Sequence, residues 1–99
     1  MMFTRILWGK VKPGKWDEFE RHYNERVVPT TREMKGLQGR RLLQGVDDPD
    51  EGMSVTLWNT MEDLENYLNN PKRKEMVKEV EHLYTGDFWV KTFRIKSSS

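Results

Sequence analysis

Residues 36–58 read GLQGRRLLQGVDDPDEGMSVTLW, two apolar runs on either side of a cluster of turn formers. In the first run, Gly36 to Val46, Leu37, Leu42 and Leu43 lie between glycines, and Asp47-Asp48-Pro49-Asp50-Glu51-Gly52 then supplies residues that reverse a chain. The second run, Met53 to Trp58, alternates Met53, Val55 and Leu57 with Ser54 and Thr56 and ends on Trp58. Alternation with a period of two residues sends successive side chains to opposite faces of a sheet, so the segment predicts a hairpin of two strands.

The flanks change period. Upstream, Trp16, Phe19, Tyr23 and Val27 recur at helical spacing, with Asp17, Glu18, Glu20, Arg21 and Glu25 between them. Pro29 lacks an N–H, so this helix either ends near Val28 or runs on with a kink toward Met34 until Gly36 stops it. Ahead of it, Phe3 to Val11 reads as a strand closed by Pro13-Gly14. Downstream, Thr60 with Asp63 resembles a capping box and starts a helix through Met61, Leu64 and Leu68. Asn70-Pro71 starts another, whose stripe Met76, Val77, Val80, Leu83 and Tyr84 ends at Gly86. Phe88 to Ile95 is aromatic and β-branched, a fourth strand, and Ser97 to Ser99 is a polar tail. The order is that of an α+β, ferredoxin-like split β-α-β fold with a four-stranded antiparallel sheet, one domain over residues 1–96.

Such a topology supplies helices for one face of the sheet, yet the strands carry large apolar side chains of both parities. Leu7 neighbours Ile6 and Trp8, Leu43 neighbours Leu42, Leu57 neighbours Trp58, and Trp89 and Phe93 alternate with Phe88 and Val90. A sheet wet on one side alternates more cleanly. A second copy packed face to face is the expected cover, giving a homodimer.

The balance of charge excludes whole classes of partner. The 99 residues hold 17 Lys+Arg against 16 Asp+Glu, net +1, which leaves no electrostatic footprint for nucleic acid. No apolar run is long enough for a signal peptide or a membrane span, so a cytoplasmic protein is expected. The absence of cysteine removes disulfides, thiolate catalysis and Cys-ligated metals. His22 and His82 have no metal-binding spacing; Glu18 and His22 share a helix face at i, i+4, a pair that reads as a surface interaction. No glycine-rich phosphate loop is present, and Ser54, the one serine outside the tail, lacks a hydrolase context. The run Lys72 to Lys74 opens a helix, where cations oppose the macrodipole, and is expected to project into solvent.

What remains is aromatic. Trp16 and Trp89 are expected in plain packing and Trp8 on the dimer face. Trp58 ends its strand where a helix begins and shares a strand face with Ser54 and Thr56. An indole N–H and two hydroxyls beside apolar walls would suit a flat aromatic ligand, with Tyr67 and Arg40 or Arg41 adding polar contacts.

These features resemble the antibiotic biosynthesis monooxygenase family, small members of the dimeric α/β barrel group. The carriers are Val11-Lys12-Pro13-Gly14-Lys15, Val28-Pro29-Thr30-Thr31-Arg32, Gly36-Leu37-Gln38-Gly39 into Arg40-Arg41-Leu42-Leu43, Asp47-Asp48-Pro49, and Leu57-Trp58-Asn59-Thr60 with Leu64. The resemblance implies a homodimer with a cavity between sheet and helices in each subunit. It also implies oxidation of a phenolic or quinol-like aromatic by molecular oxygen without metal, flavin or other cofactor. Trp58 and Tyr67 would then be the catalytic positions, with Ser54, Arg40, Arg41, Leu7 and Met76 contacting substrate. Many members place a histidine in the helix after strand three, where this chain has Tyr67. The haem-degrading branch needs asparagine, tryptophan and histidine at the places that correspond to Leu7, Tyr67 and Val77, so no imidazole is available for iron. The competing readings are a ligand-binding or structural dimer whose cavity is filled by Trp58 and Met76, and a metabolite isomerase.

Overall fold

A computed structural model describes all 99 residues, Met1–Ser99. β1 (Phe3–Val11) leads into α1 (Trp16–His22), a π-helical turn (Tyr23–Val27) and α2 (Val28–Thr31). The hairpin of β2 (Leu37–Gln44) and β3 (Glu51–Trp58) follows, then α3 (Met61–Leu68), α4 (Pro71–Val80), a 3-10 turn (Glu81–Leu83) and β4 (Tyr84–Arg94). The strands form one antiparallel sheet in the order β2-β3-β1-β4, the ferredoxin-like arrangement that the element order predicts. No helix is long and apolar enough to cross a membrane.

Local chemistry explains the boundaries. Thr60 adopts an extended backbone and its hydroxyl accepts the Asp63 N–H at 3.0 Å, while Asn70 accepts the Lys72 N–H at 2.9 Å ahead of Pro71. The Asp63 side chain leaves the capping box unreciprocated and lies against Gly36. Pro29 neither ends the first helix nor breaks it. Its missing N–H is passed by widening one turn, in which Val28 N–H reaches the Tyr23 carbonyl, and the helix continues to Thr31.

Tyr84 is a correction. It opens β4 and does not close a helix, because the α-helical ladder stops at Val80 and the chain tightens into the 3-10 turn. Leu83 carbonyl then accepts the Lys12 N–H at 2.8 Å, which draws Tyr84 into register with Val11 at the edge of β1.

The register sorts the side chains into rows across the helix-covered face. Leu37, Trp58 and Phe3 form one row, Arg40, Thr56 and Arg5 the next, Leu42, Ser54 and Leu7 a third, and Gln44, Gly52 and Gly9 the last. The first row closes a core in which Trp58 and Leu64 are sealed and Tyr67 is buried, with Met34, Leu37 and Leu68 packed around them. The opposite face carries Ile6, Trp8, Met53, Val55, Leu57, Leu43, Trp89 and Phe93 with no helix over it. Trp89 therefore stacks on Trp8, centroids 6.4 Å apart, on the uncovered face and takes no part in the packing beneath the helices. Leu43, Trp89 and Phe93 stay 36–47% exposed.

Gly36 is the tightest joint between hairpin and helices. Its φ is +84°, and a Cβ there would collide with the Asp63 carboxylate. Gly36→Ala should therefore lower stability by at least about 1 kcal/mol in urea unfolding. An unchanged midpoint would show that this joint is not under constraint.

Candidate active site

A cavity of about 100 Å³ lies between the sheet and the helices. Its floor comes from three of the strand rows. Leu7, Leu42 and Val11 provide apolar surface, Ser54 a hydroxyl, and Gly9 and Gly52 the room. Gly52 is obligatory here, since a Cβ would strike the Trp16 ring above it. Trp16 and Phe19 from α1, Tyr23 and Val27 from the π-helical turn, Tyr67 from α3 and Met76, Val77 and Val80 from α4 close the other side.

Arg40 and Arg5 flank Thr56 across three adjacent strands. Neighbouring strands are roughly 4.8 Å apart, so their backbones are separated by about 10 Å and both side chains rise from the same face. Arg40 is locked. Its Nε donates to the Tyr23 hydroxyl at 2.9 Å and its Nη1 to Thr31 Oγ1 at 2.6 Å, while the Thr31 hydroxyl donates to the Val27 carbonyl at 2.8 Å. The π-helical turn makes this possible, because it buries Tyr23 and aims its hydroxyl at the sheet. Arg5 makes no side-chain hydrogen bond within the chain. Burial is the main influence holding its guanidinium below the ordinary arginine value; Arg73 lowers it too, Tyr67 opposes, and Arg40 adds to the lowering.

Arg73 departs from expectation. Lys72 and Lys74 project into solvent, but Arg73 turns inward with its guanidinium 5.9 Å from the centre of the Tyr67 ring and lines the cavity. Residues 73, 76, 77 and 80 share one helical face, and that spacing is the signal by which sequence could have found it.

Of the positions proposed from sequence, Tyr67, Ser54, Arg40, Leu7 and Met76 meet around the cavity, and Trp58 and Arg41 do not. Trp58 is a correction of placement. It is fully buried, its N–H is spent on Thr56 Oγ1 at 2.8 Å, and its ring packs against Tyr67 at 4.9 Å between centroids. The two polar groups expected to greet a ligand thus satisfy each other, and Trp58 backs Tyr67 from behind. Arg41 stands opposite Val55 on the uncovered face, one residue out of phase with Arg40. The i, i+4 pair of Glu18 and His22 is not formed either. His22 Nε2 meets Glu79 at 2.9 Å and Glu18 approaches His82 at 3.6 Å. Glu79 also takes Arg26, and these two partners hold its carboxyl below the usual range, tying α4 to the first helix.

Tyr84, missed by sequence as a cavity residue, packs edge-on to Phe19 with centroids 5.6 Å apart. Burial pushes its hydroxyl up to about 12, against the opposing influence of Arg73, so it remains a neutral donor at physiological pH. The raised value favours the folded state's proton. Stability tied to Tyr84 is thus complete below the ordinary value of 10.0 and is lost as pH climbs from there to about 12. Urea unfolding followed through that window should show a decline that Tyr84→Phe flattens; equal slopes for the two proteins would remove Tyr84 as its source.

The family model for antibiotic biosynthesis monooxygenases matches residues 2–79. No curated protein matches the chain. Among similar solved structures is a mutant of SnoaB, a cofactor-independent oxygenase from Streptomyces nogalater, with TM-score 0.86 and 18% identity over 98% of this chain and 95% of that one. Rv0793 from Mycobacterium tuberculosis superposes with TM-score 0.85 and 14% identity over 100% of this chain and 99% of that one. A conserved protein from Methanosarcina mazei does so with TM-score 0.87 and 17% identity over 97% and 94%. Identities this low carry the fold alone, whereas the family match spans most of the sequence, from β1 through α3 and all but the last residue of α4. The chain belongs to the antibiotic biosynthesis monooxygenase family.

Proposed function

We propose that the protein is a cofactor-independent monooxygenase of a small phenolic or quinol-like aromatic, acting as a homodimer. The observation that carries this reading is the cavity, apolar in its walls and cationic in its charged groups. A closed core plugged by Trp58 and Met76 would have favoured a purely structural domain, but both side chains pack while leaving space of about 100 Å³. A cavity of about 150 Å³ accepts benzene. This one is of the same order and partly open to solvent, the scale of a single ring whose substituents reach the mouth.

The chemistry asks little of the protein beyond electrostatics and positioning. A phenol or quinol ionises more readily beside guanidinium groups, because the anion gains their charge and the neutral form does not. The ring anion then gives one electron to oxygen, the resulting radical pair combines as a ring hydroperoxide, and loss of water leaves a carbonyl. One oxygen atom enters the product and the other leaves as water, with four electrons drawn from the substrate. Arg40, fixed by Tyr23 and Thr31, is suited to stabilise the anion; Tyr67 and Ser54 offer hydroxyls to the ring oxygens; Leu7 and Met76 hold the ring and exclude water. Trp58 is a positioning residue that acts through Tyr67.

Support for the homodimer comes from the uncovered sheet face. Fully burying a side chain such as Leu43 or Phe93 is worth about 1.5 to 3 kcal/mol, and a second sheet is the one surface of matching shape that this chain itself supplies.

Oxygen uptake with a panel of monocyclic phenols and quinols, with and without a carboxylate on the ring, corrected for autoxidation and run with a chelator, tests the activity. Arg40→Gln and Tyr67→Phe should each reduce kcat/KM about tenfold or more, roughly 1.4 kcal/mol of transition-state stabilisation. Arg41→Gln should leave it unchanged. No protein-dependent uptake across the panel, or an undiminished rate in Arg40→Gln, would end the oxygenase reading.

A further inference from the structure

Three guanidinium groups line one small cavity, and no carboxylate does. Arg5, Arg40 and Arg73 each lack an aspartate or glutamate within 4 Å, although the chain has 16 acidic residues and pairs Lys10, His22, Arg26 and His82 with them elsewhere. Two acids that touch residues of the cavity lining are turned to other tasks. Glu20 accepts the Trp16 N–H at 3.0 Å and Glu79 takes His22 and Arg26. Arg5 and Arg40 rise on either side of Thr56, and Arg73 comes down from α4 over Tyr67. Gathering cations beside an apolar wall is unfavourable unless an anion joins them. Arg73 is doubly misplaced for stability, because it sits in the first turn of α4, where the macrodipole repels cations and attracts anions.

We propose that Arg5 and Arg73 form an anion subsite, and that the ligand is a monocyclic aromatic acid whose carboxylate sits between them while its ring lies on Leu7 and Leu42, leaving Arg40 for the ring oxygen. The planar fork of a guanidinium matches a carboxylate in two hydrogen bonds, and neither Arg5 nor Arg73 spends its fork on a hydrogen bond within the chain, whereas Arg40 already donates to Tyr23 and Thr31. This rests on the reading that the cavity is the substrate site, and it narrows that reading from phenols in general to phenols that bear an acid group.

Isothermal titration calorimetry under anaerobic conditions with 4-hydroxybenzoate and its neutral isostere 4-hydroxybenzamide tests the subsite, and because oxygen is excluded, binding is read apart from oxygen chemistry. The acid should bind about tenfold or more tightly than the amide. Arg73→Gln and Arg5→Gln should each weaken the acid about tenfold and leave the amide within about twofold; Arg73 lies on a helix surface, so its variant guards against a fold lost through Arg5. Equal affinities for acid and amide, no binding of either at millimolar concentration, or inorganic phosphate competing as strongly as the acid would each overturn the proposal. Acid preference without oxygen uptake by any phenol or quinol of the panel would keep the subsite and sink the oxygenase; uptake without acid preference would do the reverse.

Discussion

Leu7 pairs with Ser54 and Ser54 with Leu42, and this register decides which side chains point at the helices and which point away. Because successive residues alternate, a slip of one position would exchange the two faces. Arg5, Arg40 and Leu7 would leave the cavity, and Trp8, Ile6 and Leu43 would enter it. The hairpin turn between β2 and β3 and the Gly36 joint hold the register from one side, and the Leu83 to Lys12 hydrogen bond holds it from the other. The cavity and the uncovered face are two consequences of one constraint.

The helix-covered face is divided by depth. At one end Trp58, Leu64 and Tyr67 make a tightly sealed core; at the other, Gly9 and Gly52 deny the floor any side chain beneath Trp16. Between them lie the cationic row and the apolar row carrying Ser54. Packing energy is thus concentrated beside the site, where it fixes Tyr67, and withheld from the site, where space is needed. The π-helical turn serves the same division, because it carries the first helix past Pro29 while delivering Tyr23 to Arg40.

Much of this was legible in the sequence. Period changes and turn formers located every strand, and the caps at Thr60 and Asn70 marked the starts of α3 and α4. Tyr67, Ser54, Arg40, Leu7 and Met76, all expected beside one cleft, line the same cavity. Three features were not legible, each for a physical reason. Trp58 and Thr56 share a strand face, but only their mutual hydrogen bond shows that neither is left to meet a ligand. Arg40 and Arg41 are chemically identical, and choosing between them needs the register, which the bulge near Gly39 shifts. Arg73 looked like one of three solvated cations because charge runs conceal which member lies on the apolar stripe.

The account turns on a sheet that is apolar on both sides in a chain whose helices cover one. Sedimentation equilibrium at low micromolar concentration addresses this most directly. The account predicts a particle of twice the 11.9 kDa chain mass. A folded species at 11.9 kDa, with cooperative unfolding and no association, would contradict it.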